Sequence, residues 1–222
     1  MALPTDPKAV ALLSGGLDST VAMTIAHREL GVAEALCVDY GQRTFKRELS
    51  AAEGICAALS IPLENIKLDI YERLSAGKLL SLKDKALGED MDFWVPNRNG
   101  LLINIAAAVA EGRGLPYVVV GFNIDEGASF SDNTVEFMEA TNRALAYSTL
   151  GRVKLISPTA TLSKKEIVDI GRRLGAPLEL IYSCYSGEEL HCAVCPSCKR
   201  LAKAFLDAGA QEIIQHKFKS KE

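Results

Sequence analysis

The sequence predicts a doubly wound α/β fold: a mostly parallel, five-stranded, Rossmann-like sheet with a helical, cysteine-bearing extension at its C-terminal end. Two observations carry this. Short apolar runs of strand length alternate with segments whose apolar residues recur at helical spacing, which is the pattern of a parallel sheet covered on both faces. Four of the six cysteines then crowd between Cys184 and Cys198, after the last such unit. A length of 222 residues suits one domain with an elaborated end. We divide it into an α/β body over residues 1–182 and an extension over residues 183–222, packed on the same domain.

Ala9 to Leu13 is a short apolar run bounded by Pro7 and the Ser14-Gly15-Gly16 turn, which suits a strand buried on both faces. Leu17, Val21 and Ile25 then recur at helical spacing, and Gly31 closes the helix. Ala33 to Asp39 reads as a second buried strand. Phe45, Leu49, Ala52, Cys56 and Leu59 alternate steps of four and three and form one helix stripe. Ile66 to Ile70 is expected as a third strand and Asn99 to Glu111 as an almost wholly apolar helix. The β-branched run from Tyr117 to Phe122 predicts a fourth strand. Asp132 to Tyr147 predicts a long helix and Val153 to Ile156 a fifth strand. Ser163-Lys-Lys-Glu166 leads into Ile167, Ile170 and Leu174, then Gly175 and Pro177, so this helix is capped at both ends. Leu74 to Trp94 has mixed signals and is expected as a long excursion. From Cys184 onward a cysteine-rich loop and a terminal helical piece are expected.

Bulk properties exclude several classes. The net charge of −3 and pI near 5.7 give no basic excess for gripping a phosphate backbone, so no direct nucleic-acid partner is expected. No apolar run reaches ~18 residues, so no membrane span is expected. MALPTDPKAV lacks a charged region followed by a long apolar segment, so no secretory signal is expected and the reading is cytoplasmic.

The chemistry starts at LLSGGLDST, Leu12 to Thr20. A strand, a glycine turn and a helix N-terminus form an anion site, with amides aimed outward and a favourable helix dipole. In an open α/β sheet such a turn lies where ligands bind. Neither the dinucleotide pattern G-x-G-x-x-G nor the P-loop G-K-[ST] is present. Taken alone, Gly15 and Gly16 make a tight turn and Asp18 or Ser14 caps the helix. The full string S-G-G-L-D-S, however, resembles the pyrophosphate loop of the ATP pyrophosphatase superfamily. That resemblance implies a fold of the HUP type and an ATP site built on Leu13, Ser14, Gly15, Gly16, Leu17, Asp18, Ser19 and Thr20. It also implies why no lysine is needed. Adenylation attacks the α-phosphate, and backbone amides with the Ser14, Ser19 and Thr20 hydroxyls hold the departing pyrophosphate while Mg²⁺ neutralises charge. Asp18 serves either the Mg²⁺ or the helix start.

Further segments fit that site. In VDYGQR, Asp39 and Tyr40 border a nucleotide at the end of the second strand and Gly41 allows close backbone approach; the alternative is a turn with an Arg opening a helix. In VPNRNG, Arg98 and Asn99 stand at a helix start, where they bind phosphate or carboxylate, unless Asn99 is a plain N-cap. The resemblance extends nucleotide contacts to Gly121 and Asn123. Lys164 and Lys165 occupy a first helical turn, where the macrodipole disfavours cations. A bound anion reverses that penalty, so Lys164 is assigned to a phosphate; otherwise both are solvated lysines. Cys184, Cys192, Cys195 and Cys198, spaced C-x7-C-x2-C-x2-C, suit a closed tetrahedral Zn²⁺ site. The run also has bacterial ferredoxin spacing, with Pro196 after Cys195, so an iron–sulfur cluster is the rival. Zinc is preferred because a lone late cluster beside an ATP loop has no redox partner. His191 is read as a neighbour of the site, and Cys37 and Cys56 as core.

With SGGLDST, DYGQR, VPNRN, the capped SKKE helix and the four cysteines in this order, the chain resembles the 7-cyano-7-deazaguanine synthases from about Val10 to Phe205. The resemblance implies ATP-dependent conversion of 7-carboxy-7-deazaguanine and ammonia to the nitrile, a step toward queuosine in transfer RNA. It implies ATP, Mg²⁺ and one Zn²⁺ per chain, a homodimer, and catalysis by positioning and electrostatics around Asp18 and Lys164. One segment departs. Where such proteins carry S-G-Y-P-D-C-R, Gly127 to Thr134 reads GASFSDNT. Phe130 matches an aromatic that stacks on a purine-like ring. Asp132 matches a carboxylate that accepts from a guanine N–H edge, or else it is a helix N-cap. Ser131, Asn133 and Thr134 replace the Pro, Cys and Arg. The alternative function is a related ligase adenylating another deazapurine or carboxylate, and from another class a zinc-bearing binding module without catalysis.

Overall fold

The computed structural model describes residues 4–73, 78–80 and 88–219. Strand β1 (Ala9–Leu12) feeds helix α1 (Leu17–Glu29), followed by β2 (Val32–Asp39), α2 (Phe45–Leu59) and β3 (Leu63–Lys67). After the excursion come α3 (Arg98–Gly112), β4 (Tyr117–Val119), α4 (Ile124–Gly127), α5 (Val135–Ser148), β5 (Lys154–Ile156), α6 (Lys164–Leu174) and α7 (Pro196–Asp207). The five strands lie in the order β3-β2-β1-β4-β5, and every pairing is parallel. The chain therefore winds outward from β1 in one direction and restarts at β4 in the other. The reversal between β1 and β4 opens a crevice beyond their carboxyl ends.

Two apolar layers sandwich the sheet. On one face α1, α2, α6 and α7 bury Leu17, Val21, Ile55, Ile167, Leu201 and Phe205 against Ala9 and Ala11 of β1. On the other, α3 and α5 bury Ile103, Ala106, Ala110 and Leu145 against Val10, Val118 and Leu155. β1 alternates between these faces and its first three residues are fully buried, which is why it reads as an unbroken apolar run. A smaller cluster of Tyr40, Tyr71, Leu79, Phe93 and Val95 pins the described parts of the excursion to the end of β2. Cys184, Cys195 and Cys198 belong to the same apolar layer as α1 and α6, so the C-terminal extension shares the core of the α/β body.

The structure places some elements elsewhere. β3 is Leu63–Lys67, not Ile66 to Ile70, and Ile70–Arg73 is a 3-10 turn. This edge strand pairs with β2 alone, and its Glu64, Asn65 and Lys67 are exposed, so it lacks the apolar run that would mark it. Asp132 lies in a 3-10 turn (Ser131–Asn133), and the N-cap of α5 is Thr134, whose hydroxyl accepts from the Phe137 amide at 3.2 Å. Asn99 lies inside α3; the capping position is Asn97, held at φ 51°. α4 has only four residues, too few to show a helical period. Of the expected excursion from Leu74 to Trp94, residues 74–77 and 81–87 lie outside the described residues, and Lys78–Leu80 and Asp90–Phe93 form 3-10 turns. α6 starts with the Ser163–Glu166 capping box and ends at Gly175 in the left-handed region. Among the described residues no helix is long and apolar enough to cross a membrane.

Candidate active site

The loop after β1 is shaped by close packing. Gly15 has φ +74°, and a Cβ there would sit 2.8 Å from Ala51 Cβ and 2.9 Å from the Glu48 carbonyl, so only glycine fits. Its carbonyl accepts from the Tyr182 amide at 2.8 Å, which ties the loop to the start of the extension. Gly16 is the extended N-cap of α1 and offers no side chain to cap the helix, so the first-turn amides remain open to an anion. The Ser14 and Ser19 hydroxyls are 3.2 Å apart at the mouth of this turn. Thr20 is buried instead, its hydroxyl donating to the Gly16 carbonyl at 2.7 Å.

A cavity of about 270 Å³ opens beyond the carboxyl ends of β1, β2 and β4. Leu13, Ser14, Gly16, Leu17, Asp18 and Ser19 line it from the loop, with Tyr40, Arg98, Gly121, Phe130, Asp132 and Lys164 around the remaining walls. The lining does not include Gly15, Thr20, Asp39 or Asn123. Asp39 instead accepts from the Gly41 amide at 3.0 Å, and Asn123 caps α4 by accepting from the Glu126 amide at 2.9 Å. At Gly121 the extension of β4 passes close to the first turn of α1. A Cβ there would lie 2.5 Å from the Asp18 carbonyl carbon and 2.6 Å from Ser19 Cα.

The electrostatic centre of the cavity is Lys164. Its Nζ lies 2.7 Å from Asp18 Oδ2 and 3.0 Å from Glu126 Oε1, and its amide donates to Asp125 Oδ2 at 2.7 Å. Burial alone would lower the ammonium's pKa, but Asp18 and Glu126 outweigh it and hold Lys164 above its ordinary value. Burial pushes the Asp18 carboxyl up against the pull of Lys164. Glu126 is likewise buried, yet Lys164 and Arg200 together hold it below the ordinary carboxylate range. Asp18 Oδ1 is buried without a protein partner. An unpaired buried carboxylate oxygen at the N-terminus of α1 fits a hard divalent cation, for which oxygen donors are the natural ligands.

The opposite wall is aromatic and polar. Phe130 stacks on Trp94 with centroids 6.0 Å apart and planes 16° apart. The Arg98 guanidinium lies 6.0 Å from the Tyr40 ring centroid and donates to Asn99 Oδ1 at 3.1 and 3.2 Å. Asn99 passes the connection on by donating to the Asp132 carbonyl at 3.2 Å. Burial raises the Asp132 carboxyl, with Arg98 opposing. Glu48, also lining the cavity, accepts from Thr44 and from Gln42 Nε2, the latter at 3.0 Å.

The four cysteines of the extension converge, their sulfurs all within 4.8 Å of one another. A tetrahedron of sulfurs ~2.3 Å from a central ion has edges of about 3.8 Å, so the cluster has the size of a single-ion site. The Cys192, Cys195 and Cys198 amides donate to the sulfurs of Cys184, Cys192 and Cys195 at 3.3–3.4 Å, contacts that favour thiolates. Donation from Cys195 and Cys198 holds Cys184 far below an ordinary thiol. His191 stands aside: its Nε2 accepts from the Ser183 amide at 3.3 Å, and burial lowers its pKa to about 4.

The model of a protein family described as queuosine biosynthesis protein QueC matches residues 8–209. The chain belongs to the QueC family. It is 43% identical over 210 residues to the 7-cyano-7-deazaguanine synthase of Carboxydothermus hydrogenoformans, covering 89% of this chain and 97% of that protein. It is 39% identical over 222 residues to the 7-cyano-7-deazaguanine synthase of Methanosarcina mazei, covering 92% and 96%. The solved NMN synthetase of Francisella tularensis superposes with a TM-score of 0.50 at 17% identity, covering 98% of this chain and 89% of that one, a likeness of fold.

The cavity residues of this QueC chain that lie outside the sequence motifs include the polar and aromatic side chains of Glu48, Trp94, Glu126 and Tyr185. Trp94 directly precedes the VPNRN run and Glu126 follows an N-capping Asn123, so both were adjacent to readable signals. Glu48 sits in the first turn of α2, where an acid is ordinarily explained by the helix dipole.

Proposed function

We propose that the chain joins ammonia to 7-carboxy-7-deazaguanine at the expense of ATP and yields 7-cyano-7-deazaguanine. The observation that carries this is the two-sided cavity. One side offers open helix amides, Asp18 and Lys164 for a triphosphate; the other offers Phe130, Trp94, Asp132 and Arg98 for a flat, hydrogen-bonding acid.

A carboxylate is a poor electrophile until it is adenylated. Its oxygen attacks the α-phosphate, a C–O–P anhydride forms and pyrophosphate leaves. Ammonia then displaces AMP to give the amide, and a second activation removes the amide oxygen to give the nitrile. The chain's part is to hold reactants and steady charge. The α1 amides with Ser14 and Ser19 receive phosphate oxygens, and Lys164 meets the charge growing on the leaving pyrophosphate. Mg²⁺, when bound, neutralises triphosphate charge, and Asp18 Oδ1 is the chain's ligand for it. Phe130 stacks on the deazapurine, Asp132 accepts from its N–H edge and Arg98 faces its carboxylate. The Cys184, Cys192, Cys195 and Cys198 thiolates take one Zn²⁺, which fixes the extension. A multi-iron cluster spreads its thiolates over several metals, so four sulfurs this close favour one ion. The protein acts as a cytoplasmic homodimer.

The test is incubation with ATP, Mg²⁺, ammonium and 7-carboxy-7-deazaguanine, followed by mass spectrometry. The nitrile and AMP are expected. AMP formed on a different carboxylate, without the nitrile, would move the proposal to another ligase of the same superfamily. Metal analysis is expected to give about one zinc per chain; iron with sulfide would overturn the zinc assignment.

A further inference from the structure

Lys164 does not end the chain of charges. Glu126 Oε1, 3.0 Å from Lys164 Nζ, also lies 3.1 Å from Nε of Arg200, an ion-pair contact in which the Nε–H is not aimed at that oxygen. Arg200 reaches on to Asp90 Oδ1 at 2.5 Å and to the Tyr185 hydroxyl at 3.3 Å. Asp90 Oδ2 accepts from Ser129 at 3.2 Å. The result is one ladder, Asp18–Lys164–Glu126–Arg200–Asp90, with every side chain a quarter exposed or less. It starts at the phosphate loop and ends at the 3-10 turn Asp90–Phe93 that leads into Trp94. Arg200 stands on α7, two residues beyond Cys198, outside the cavity that Glu126 lines.

The arrangement solves a problem that Lys164 would otherwise pose. To meet pyrophosphate it must loosen its hold on Asp18 and Glu126. A buried carboxylate that loses its cation is strongly disfavoured. Asp18 has a second role open to it through its unpaired oxygen. Glu126 has none, except that Arg200 already shares the same oxygen.

We propose that Arg200 is a positioning residue for adenylation: it remains on Glu126 as Lys164 turns to the leaving pyrophosphate, and it anchors Asp90 beneath the aromatic wall of the cavity. This rests on the adenylating reading of the site. Without Arg200 the whole charge of Glu126 falls on Lys164, which is then held back from phosphate when it is most needed.

The test measures carboxylate-dependent pyrophosphate release by the zinc-loaded protein and its Arg200→Met, Arg200→Lys and Asp90→Asn/Arg200→Met variants, with Lys203→Met as a control on the exposed side of α7. Metal content and unfolding temperature are recorded for each. Arg200→Met is expected to lower kcat about tenfold with the KM for ATP changed by less than about threefold. Arg200→Lys is expected to restore much of the loss, and the double variant to be no worse than Arg200→Met, since Asp90 acts through Arg200. Three results would overturn the inference: an Arg200→Met enzyme, folded and metal-loaded, with kcat within twofold of the unaltered protein; a loss in Arg200→Met that Arg200→Lys leaves unrelieved; or a double variant with kcat several-fold below that of Arg200→Met. Absence of carboxylate-dependent pyrophosphate release from the unaltered protein would instead overturn the functional reading on which it rests.

Discussion

Gly121 connects the stability of the fold to the geometry of its phosphate loop, and Gly121→Ala tests both at once. The added methyl would lie 2.5 Å from the Asp18 carbonyl carbon and 2.6 Å from Ser19 Cα. These are backbone atoms of the first turn of α1, not the end of a side chain that can swing away. To reach an ordinary carbon–carbon contact of ~3.5 Å, α1 and the β4 extension must separate by about 1 Å. Overpacking of this kind costs about 2–3 kcal/mol. At roughly 2–4 °C per kcal/mol for a chain of this size, the melting temperature should fall by roughly 4–12 °C. The same displacement carries Asp18 and Ser19 away from where the proposed reaction places the phosphates, and misplacement by ~1 Å can reduce turnover about a hundredfold. Calorimetry and ATP-dependent AMP formation, measured on the same preparation, read the two effects separately. An alanine variant that melts within about 1 °C of the unaltered protein and keeps its turnover would refute the close-approach argument.

Three further outcomes follow from the site. Lys164→Met should reduce turnover by about 10²–10³-fold, because it removes the only lysine that lines the cavity among the described residues, and unchanged ATP dependence would count against its phosphate role. Glu126, buried but held below its ordinary pKa by Lys164 and Arg200, contributes stability that is fully present above the unfolded value near 4.5 and disappears as pH falls through its lower folded value. Glu126→Gln should therefore flatten the acid limb of the stability profile below that pH, and an identical acid limb in both proteins would contradict the pairing. Cys195→Ser removes one of four converging sulfurs and changes the N-cap of α7; bound zinc should fall well below one per chain and the unfolding temperature should drop, whereas full zinc retention would disprove ligation by Cys195.

What the sequence disclosed was what local chemistry dictates. The β1–loop–α1 unit and the Ser163–Glu166 capping box are written within a few adjacent residues and were legible as such. β3 was misplaced because an edge strand with one neighbour need not be apolar throughout. Asp132 fell in a helical pattern, yet Thr134 provides the better cap and the helix waits for it. The ladder from Asp18 to Asp90 was beyond reach for a different reason. Asp18 and Lys164 are 146 residues apart, and Glu126 sits on a helix too short to show periodicity. Nothing in local spacing records that three distant carboxylates share two cations.

The absence of lysine from SGGLDST now has a structural counterpart. A lysine inside a phosphate loop has its stem in the turn that grips the phosphates. Lys164 arrives from α6, which packs beside α1, and is held by Asp18, the residue whose other oxygen is unpaired. At the N-terminus of a helix a cation is disfavoured by about 0.3–1 kcal/mol, and the two carboxylates reverse that preference. On the proposed reading a cation stationed this way can change partners: Asp18 would hold a divalent ion through its unpaired oxygen, and Lys164 would then be free for a polyphosphate. Such an exchange would leave two carboxylates to be covered, Asp18 by the cation it would bind and Glu126 by Arg200 at 3.1 Å. On that reading the loop needs no lysine of its own, because the fold delivers one that is charged, buried and already balanced.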